Sequence, residues 1–468
     1  MGKASELCNI KAGGTASGFC NITYQTYYTY QTYQTYYTYK NPMKVLIVNT
    51  SERTGGAAVA ANRLMKALNN NGAQAKMLVR DKETDDLTVV ALPKPALTRW
   101  HFLWERFVIF AKLHFSRQHL FDIDIANSGT DITRLREFRE ADIIHLHWVN
   151  QGMLSLSNIR KILRSGKPVV WTMHDIWPAT AICHLTLGCR NFTTQCQQCK
   201  YLPGGGGTAD LAASVWKKKQ KMVHNESIYY VACSRWLEAE AKSSALLRGQ
   251  KITSVPNPID TRLFAPRDKQ EARRQLGLPL NKRLILFVSQ RATNPYKGID
   301  YLVSACQTMA RVHGSSATAD NTAILILGGH AEEVAPLLPF QAIALGYVGN
   351  EQQIVSIYSA ADVFVLPSLS ENLPNTIMEA MACGVPCVAF NVGGIPEQID
   401  HRKNGYLAKY RNADDLAEGL RWVLFQADGK ALSNAARSKV LHTYSQQAVA
   451  IKYLDLYHQA MAFNHYKL

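Results

Sequence analysis

The sequence lacks several patterns that mark common classes of protein. No apolar run approaches the roughly 20 residues that a membrane-spanning helix needs, and the N-terminus lacks the charged-then-apolar profile of a secretory signal. The loop Thr54-Gly-Gly-Ala-Ala58 lacks the G-x-G-x-x-G spacing of dinucleotide-binding enzymes. No solenoid-type repeat recurs along the chain. These absences predict a cytoplasmic protein and disfavour a nicotinamide-dependent oxidoreductase.

What the sequence does contain is ample apolar material and an excess of positive charge. Its 468 residues are 47% hydrophobic and 19% charged, with a formal net charge of +16. The length exceeds the roughly 250–300 residues that one hydrophobic core organises, so two domains are expected. The charge predicts an anionic partner, which could be a phosphate-bearing substrate, an acidic membrane surface or nucleic acid.

The first 42 residues differ from the rest of the chain. Residues 23–39 read TYQTYYTYQTYQTYYTY, a low-complexity tract that cannot build a packed core. A strand-like KVLIVN follows Met43. We therefore expect Met43 to be the natural start and residues 1–42 to be either an upstream translation or a disordered tail, without function in either case.

From Met43 onward, short aliphatic runs alternate with longer amphipathic segments. Several runs are apolar throughout, which is typical of strands buried on both faces of a parallel sheet. This pattern predicts an α/β chain with two doubly wound halves. The expected strands are 44–49, 75–79, 142–148, 168–173, 228–232 and 252–255 in the first half, and 284–289, 323–327, 362–367 and 385–390 in the second.

A proline-punctuated stretch, Pro256-Asn-Pro-Ile-Asp260, predicts the domain boundary. It separates a first domain at residues 43–258 from a second at residues 259–445. The final segment, residues 446–468, carries apolar residues such as Val449 and Tyr453 at helical spacing, so we expect a packing helix there.

Glycines, histidines and charged residues follow the predicted strands, at the strand ends where parallel sheets bind ligands. In the first half they are Gly55 and Gly56, then His145 and His147, then His174; in the second half they are Arg291 and Lys297, then His330, then Glu371. Because the carboxyl ends of parallel strands share one edge of a sheet, this recurrence predicts a ligand site at that edge.

Arg291 and Lys297 leave one predicted strand end together. A planar guanidinium and a compact ammonium suit a diphosphate. The alternative is a pair of solvated loop charges.

Glu371 and Glu379 stand eight positions apart across Pro374. Proline suits the first turn of a helix, so Leu373–Asn375 are expected to begin one whose free amides offer an anion site. Glu379 then lies inside a run too apolar to face solvent, and a carboxylate there needs a partner. A ribose diol would supply one. The alternative is a capping or salt-bridged pair.

Four motifs together resemble the C-terminal domain of retaining GT-B glycosyltransferases of the family 4, group 1 type, which includes sucrose synthases and bacterial polysaccharide transferases. They are Phe287-Val-Ser-Gln-Arg291 with Lys297-Gly298, Ser368-Leu-Ser-Glu371 continuing to Glu379 and Gly384-Val-Pro386, Gly393-Gly394-Ile-Pro-Glu397, and Asn404-Gly405. The resemblance extends from Met43 to the C-terminus. It implies two Rossmann-like domains facing across a cleft, with the C-terminal helix returning to the first domain.

The resemblance also implies roles for the donor-side residues. Arg291 and Lys297 would hold the donor diphosphate, Glu379 the nucleotide ribose, and Glu371 the donor sugar near the reacting centre. The backbone of Asn372, Leu373, Pro374 and Asn375 would hold phosphate or sugar hydroxyls. Glu371 is then a positioning group in a front-face retaining mechanism. No metal is expected in catalysis, because the two cations and the helix amides already stabilise the leaving diphosphate.

In the first half, the resemblance implies that Gly55 and Gly56 approach donor and acceptor. It implies that His174 neighbours the donor sugar, although His145, His147 and His330 compete for that role. The expected reaction moves a hexose from a nucleotide-diphosphate sugar to a lipid-linked or oligosaccharide acceptor in bacterial surface polysaccharide synthesis, as in the colanic-acid-like members. The sugar, the nucleobase and the acceptor are not legible in the sequence.

Four of the ten cysteines fall within an insert at residues 183–199: Cys183, Cys189, Cys196 and Cys199. Thiolates at such spacing can bind one structural Zn²⁺ tetrahedrally, although C-x5-C-x6-C-x2-C is tighter than ordinary zinc ribbons. Reduced buried thiols and a redox role are the alternatives.

Residues 99–117 are aromatic and basic but too short to span a bilayer; Trp100, Trp104 and Phe107 are among the aromatics, and Arg99 and Arg117 bound the stretch. That profile is typical of a helix lying in an anionic membrane interface. An ordinary core-packing helix is the alternative. Membrane docking would make the protein peripheral on the inner face of the cell membrane.

Two rival functions share these features. The same fold hosts nucleotide-sugar epimerases and phosphorylases, and fold does not determine function. A zinc-dependent nucleic-acid-binding protein would also be basic and contain a CxxC motif. The basic residues are spread along the chain, however, and acids at the strand ends would repel phosphate backbones. We therefore expect no nucleic-acid partner.

Overall fold

The structure, a computed structural model, describes residues 42–312 and 321–465, and two parallel β-sheets organise them. The predicted tail at residues 1–42 lies outside the described residues, apart from Pro42.

The first sheet has seven parallel strands: β1 (Lys44–Ser51), β2 (Gln74–Asp81), β3 (Val89–Ala91), β4 (Ile143–Leu146), β5 (Val169–Met173), β6 (Tyr229–Ala232) and β7 (Lys251–Ser254). Their spatial order is β3-β2-β1-β4-β5-β6-β7. The order reverses direction between β1 and β4, so this is the switch point at which ligands bind in open sheets.

The second sheet has six parallel strands: β8 (Arg283–Arg291), β9 (Thr322–Gly329), β10 (Gln341–Gly346), β11 (Val363–Leu366), β12 (Cys387–Phe390) and β13 (Gly405–Ala408). Their order is β10-β9-β8-β11-β12-β13, with the switch point between β8 and β11. Buried apolar residues cover both of its faces.

Helices connect the strands. In the first half they are α1 (Gly56–Asn69), α2 (Pro95–Lys112), α3 (Arg136–Glu140), α4 (Leu156–Leu163), α5 (Leu211–Val223) and α6 (Arg235–Lys242). In the second half they are α7 (Lys269–Gln275), α8 (Ile299–Val312), α9 (Ala331–Val334), α10 (Glu351–Ala360), α11 (Asn375–Ala382), α12 (Ile395–Gln398), α13 (Ala413–Phe425), α14 (Gly429–Thr443) and α15 (Gln446–His465). None of them, over the residues described, is both long and apolar enough to cross a bilayer.

The α/β class and the two doubly wound halves are confirmed. Each of the ten aliphatic runs corresponds to a strand. Strands β4, β5 and β6 are buried along their whole length, which explains their apolar character, whereas the edge strand β7 is only partly buried. The short edge strands β3, β10 and β13 were not anticipated. Strand β3 has only three residues, and the residues of β10 are exposed or only partly buried.

Helix α15 returns to the first half, as the resemblance implies, and packs against α1 and β5. The Tyr457 hydroxyl lies 2.7 Å from His145 Nδ1, and the Tyr453 hydroxyl lies 2.9 Å from the Thr172 hydroxyl. Both tyrosines are buried. The last helix is therefore part of the first half's core.

Helix α2 buries two of its four charged residues, Glu105 and Arg106. Buried Glu105 accepts hydrogen bonds from the backbone N–H groups of Ile125, Ala126 and Gly152 at 3.0, 2.6 and 2.8 Å. Buried Arg106 pairs with Asp124. Ile109 of the same helix packs in the first hydrophobic core, while Trp100, Trp104 and Phe107 are left exposed.

Candidate functional site

A cavity of about 440 Å³ lies between the two sheets, at the carboxyl ends of their strands. The first half contributes residues 53–57 after β1 and His174 after β5, and Asn257 comes from the linker. The second half contributes the ends of β8 and β9, Lys297, Tyr347, Tyr358, residues 371–376 and Glu379. Ten of the eleven predicted catalytic and donor-binding residues line this one cavity, and Arg291 does not.

Two helices begin at the cavity without a side-chain cap. Helix α1 starts after Gly55, whose φ of 93° favours glycine, and α11 starts after Pro374. Uncapped first turns leave backbone N–H groups available, and the helix dipole makes such ends favourable for anions. The cavity therefore offers two places for a phosphate or a carboxylate.

The predicted start of α11 is wrong by two residues. Helix α11 begins at Asn375, and Pro374 precedes it with an extended ψ of 123°. The Pro374 carbonyl accepts a hydrogen bond from the buried Gln398 side chain at 3.1 Å, which favours this extended geometry. The free amides are accordingly those of Asn375 and the residues after it.

Glu371 forms an ion pair with Lys297 on the cavity wall, with 2.5 Å between Oε1 and Nζ. The turn at Gly393 holds Glu371 in place. Gly393 has φ of 58°, and a Cβ there would lie 1.7 Å from the Glu371 carbonyl oxygen. A residue with a side chain at position 393 would push Glu371 out of position, so glycine is needed for the turn to approach Glu371 this closely.

Glu379 has partners within the protein. Arg63 Nη2, from α1 in the first half, lies 2.7 Å from its Oε1, and the Tyr358 hydroxyl donates to its Oε2 at 2.9 Å. This buried carboxylate therefore has the partners that it needs within the protein, and binding of a ribose diol by Glu379 stays a prediction. The sequence feature that could have indicated Arg63 as this partner is an arginine within the alanine-rich helix α1.

Two asparagines connect the halves across the cavity. Asn372 donates to the His174 carbonyl at 3.1 Å and accepts from Ser234 at 2.6 Å. Asn375 donates to the Gly56 carbonyl at 3.0 Å. The predicted donor segment is therefore bonded to both predicted first-half elements, His174 and the Gly55–Gly56 loop.

Three histidines form a row behind the cavity, here named the histidine row: His145, His147 and His174. His147 Nδ1 lies 2.8 Å from His174 Nε2, and His174 Nδ1 lies 3.5 Å from Cys233 Sγ. Burial lowers the pKa of all three histidines. The pKa of His174 is lowered to about 4, although the Asp175 carboxylate raises it by a smaller amount. Within the row only His174 lines the cavity, as an uncharged imidazole.

The other predicted cations and histidines lie elsewhere. Arg291 is exposed, and its Nε donates to Thr293 at 3.1 Å. His330 pairs with Glu333 on the surface. Arg53, which the sequence reasoning passed over, lines the cavity instead. The sequence feature that could have indicated this role is the position of Arg53 in the loop after β1.

The four predicted cysteine ligands lie apart from this cavity. Cys183, Cys189, Cys196 and Cys199 line a separate cavity of about 20 Å³, and all four are half-buried free thiols. The insert is therefore a distinct feature of the first half.

Comparison with known proteins identifies the family. Residues 54–263 match the family model Glycosyltransferase Family 4, and residues 268–439 match Glycosyl transferases group 1. The D-inositol 3-phosphate glycosyltransferase of Saccharomonospora viridis is 28% identical over 223 residues, which cover 45% of this chain and 51% of that protein. The chain thus spans about half the length of that curated relative.

Two solved structures share the fold. Sucrose-phosphate synthase from Thermosynechococcus elongatus is similar with a TM-score of 0.61 and 19% identity, over 90% of this chain and 99% of that one. Anabaena HepE in complex with UDP and glucose is similar with a TM-score of 0.58 and 16% identity, over 89% and 100%. Together with the family matches, the two facing parallel-sheet halves establish that this chain belongs to the family 4, group 1 glycosyltransferases and has the GT-B fold.

Proposed function

We propose that this chain transfers a hexose from a nucleotide-diphosphate sugar to a lipid-linked or oligosaccharide acceptor, with retention of configuration, in the synthesis of a bacterial surface polysaccharide of the colanic-acid type. The observation that carries the proposal is the cavity itself. Its volume is within the roughly 300–1,000 Å³ of small-molecule sites. Cations, two carboxylates and two uncapped helix starts meet in it.

In this proposal the second half, residues 259–445, binds the donor, and residues 43–258 bind the acceptor. Helix α15 crosses back to the first domain. Lys297 holds the donor diphosphate together with the free amides at the start of α11. Arg53 already lines the cavity, whereas Arg291 must leave Thr293 to reach the same anion. HepE, which has the same fold, binds UDP, and this supports a nucleoside diphosphate as the donor's leaving group.

Glu379 binds the ribose hydroxyls while keeping its protein partners. A carboxylate offers about four lone-pair positions, and Arg63 and Tyr358 occupy two of them. Two remain for a ribose diol. Arg63 and Tyr358 therefore orient Glu379 for the nucleotide.

The reaction breaks the bond between the sugar C1 and the diphosphate oxygen, and the electron pair leaves with the diphosphate. The acceptor oxygen bonds to C1 on the same face, and its proton passes to the departing phosphate oxygen. Lys297 and the helix amides stabilise the charge that develops on the diphosphate. Glu371 and His174 position the donor sugar, and His174 does so as a neutral imidazole.

Ligand-induced thermal stabilisation of the full chain tests the donor site. UDP, GDP, ADP, CMP and dTDP are compared on the wild type, on Glu379→Gln and on Glu418→Gln, a control carboxylate outside the cavity. We expect one nucleoside diphosphate to raise the melting temperature of the wild type and the control but not of Glu379→Gln. If none of the five stabilises the wild type, the proposal is refuted. The anomeric configuration of the product, determined by NMR, then tests retention.

We also propose that α2 docks the protein on an anionic membrane, where a lipid-linked acceptor resides. Trp100 and Phe107 are 58% and 57% exposed. Leu97, Leu103 and Trp104 on the same helix, and Phe115 and Phe121 just after it, are exposed as well. Single exposed apolar residues are ordinary, but a group of seven marks an interaction surface.

The charge around this surface favours anionic lipid over other partners. The exposed cations nearby are Lys94, Arg99, Lys112 and Arg117, whereas Glu105, the one acid between residues 94 and 117, is buried. An interfacial helix combines an apolar face with flanking basic residues in this way.

Buried polar contacts connect α2 to the cavity. Arg106 pairs with Asp124, whose other oxygen lies 2.6 Å from His184 Nε2. His184 Nδ1 lies 2.7 Å from Asp175, which follows His174 in the chain. A protein docked through α2 would therefore hold its cavity at a defined position relative to the membrane.

Vesicle co-sedimentation tests the docking surface. We expect the full chain to bind phosphatidylglycerol-containing vesicles, to leave pure phosphatidylcholine vesicles unbound, and to release in high salt. Trp100→Ser/Phe107→Ser should abolish binding, whereas Leu337→Ser, which changes an exposed leucine on the second half, should not. Equal binding by both variants would refute the proposal. A dimer in solution that the double variant dissociates would assign the surface to a second copy instead.

A further inference from the structure

The histidine row places two buried imidazoles behind the one that lines the cavity between the two sheets. His145 lies in β4, His147 directly follows that strand, and His174 directly follows β5. The ring centres of His145 and His147 are 4.2 Å apart, and those of His147 and His174 are 5.1 Å apart. Within the row His174 alone lines the cavity, so the other two rings act on a ligand there through His174.

The first ring of the row is held on both of its nitrogens. His145 Nδ1 lies 2.7 Å from the Tyr457 hydroxyl, and its Nε2 lies 2.7 Å from the Thr172 hydroxyl. The Thr172 hydroxyl in turn lies 2.9 Å from that of Tyr453. Both tyrosines belong to α15, so the last helix fixes the ring against which His147 packs.

His147 is held on one nitrogen. Its Nδ1 lies 2.8 Å from His174 Nε2, whereas its Nε2 is buried and has no hydrogen-bond partner among the described residues. Burial lowers the pKa of both rings, so each is neutral and carries a single proton. A proton on His147 Nε2 would be a buried N–H group without an acceptor, which native proteins avoid. The contacts therefore favour the proton on His147 Nδ1, from which it donates to His174 Nε2.

This arrangement determines where His174 carries its own proton. Because Nε2 accepts, the neutral ring is protonated on Nδ1. His174 Nδ1 lies 3.5 Å from Cys233 Sγ, and burial raises the pKa of that thiol, so the sulfur is uncharged. A thiol sulfur is a weak acceptor. The Nδ1–H of His174 is therefore only weakly bonded within the protein and is available to a stronger acceptor.

We propose that His147 is a positioning residue for the transfer reaction. Through the hydrogen bond from its Nδ1, it fixes both the orientation and the tautomer of His174, so that His174 donates from Nδ1 to an oxygen of the donor sugar. The His174 carbonyl accepts from Asn372 across the cavity at 3.1 Å, so the backbone of His174 is held as well as its ring. This role of His147 rests on the proposed function, in which His174 positions the donor sugar.

Nitrogen NMR of the full chain with isotope-labelled histidines tests the tautomer without a ligand. The His174 signals are identified by their absence from His174→Gln. We expect the wild type at neutral pH to show His174 protonated on Nδ1. His147→Leu removes the fixed donor and should leave His174 exchanging between its two tautomers. His147→Asn, whose side-chain amide can donate from a similar position, should keep the wild-type form. A wild-type His174 protonated on Nε2 would overturn the proposal, and this measurement needs no variant of His147 to fold.

Calorimetric titration tests the effect on the donor sugar. UDP is compared with UDP-glucose, and GDP with GDP-mannose, on the wild type, His147→Leu, His147→Asn and His442→Leu, which changes an exposed histidine on α14. His147→Leu should weaken binding of the nucleotide sugar about tenfold, because one hydrogen bond to the sugar loses its fixed geometry. It should leave binding of the nucleoside diphosphate unchanged. His147→Asn should restore most of the affinity for the nucleotide sugar, and His442→Leu should behave as the wild type does.

The outcomes separate this proposal from that of the donor site. Equal weakening of the nucleotide sugar and of its nucleoside diphosphate by His147→Leu would assign His147 a structural role only and overturn the proposal. A wild type that binds no nucleoside diphosphate would instead refute the donor site itself.

Discussion

Removing either partner of the Arg63–Glu379 ion pair should destabilise the protein, because the pair is buried and joins the two halves. Its side chains are 9% and 12% exposed, and its atoms lie 2.7 Å apart. Breaking a buried ion pair costs about 3–5 kcal/mol, since a charge is left unpaired. Glu379 keeps the Tyr358 hydroxyl, and Arg63 keeps the Phe264 ring 4.9 Å away. We therefore expect the lower end, about 3 kcal/mol, for Arg63→Met and for Glu379→Gln.

The double variant Arg63→Met/Glu379→Gln leaves neither charge unpaired, so it should cost less than the sum of the single variants. We expect a coupling of about 2 kcal/mol, within the usual range for residues in contact. Urea unfolding followed by circular dichroism and by tryptophan fluorescence measures the midpoints and slopes, and diverging probes would reveal separate unfolding of the halves.

The exposed pair Arg136–Glu140 is the matched control, also at 2.7 Å. Replacing its members by Met and Gln should change the urea midpoint little, because solvent screens exposed ion pairs. If the Arg63 and Glu379 single variants add to the double variant within about 0.5 kcal/mol, the two residues do not interact energetically and the reasoning is refuted.

Two other predictions concern the cavity and the residues behind it. Burial lowers the pKa of His174 from the ordinary 6.5 to about 4, and it also lowers the pKa values of His145 and His147. Between pH 4 and 6.5 these three histidines therefore bind fewer protons in the folded chain than in the unfolded chain. The stabilisation that these three histidines contribute should be complete above pH 6.5 and be lost as the pH drops towards 4. Despite burial, the pKa of His184 is raised to about 10 beside Asp175 and Asp124, and this acts in the opposite sense, because its contribution is lost as the pH rises above 6.5. Urea midpoints measured between pH 4 and 6.5 check the first effect, and replacing exposed His330 by Gln should leave the slope unchanged. Gly393→Ala should weaken nucleotide binding at least tenfold and lower the melting temperature, because its Cβ would lie 1.7 Å from the Glu371 carbonyl, whereas Gly429→Ala has open space and should do neither. Calorimetric titration and thermal unfolding measure both effects, and unaltered binding by Gly393→Ala would contradict the assigned role of that turn.

Much of the fold was predictable because its signals are local. Strands buried on both faces, such as β4, β5 and β6, must be largely apolar, and all ten predicted runs correspond to strands. The convergence of Lys297 and Glu371 was predictable for a similar reason. Residues that follow parallel strands of one sheet must share one edge of that sheet, whereas the approach of His174 depends on how the two sheets face each other.

The partners of those residues were not predictable. Arg63 and Glu379 are separated by 316 positions, and their contact depends on how the two halves face each other. The same holds for Asn372 with the His174 carbonyl. Arg291 follows a strand as predicted, but its side chain bonds to Thr293 and does not line the cavity. A strand-end position does not determine where a long flexible side chain points.

The amino-acid sequence by itself determined the strands, the edge at which the site lies and the types of side chain that meet there, because hydrophobic runs and strand ends act over a few neighbouring residues. Only the tertiary structure decided that Arg63 and Tyr358 occupy half of the Glu379 carboxylate, that α2 turns its aromatic side outward, and that Lys219 is buried against the Trp177 ring. Each of these depends on which surface a helix meets, and that surface is built from segments tens to hundreds of residues away.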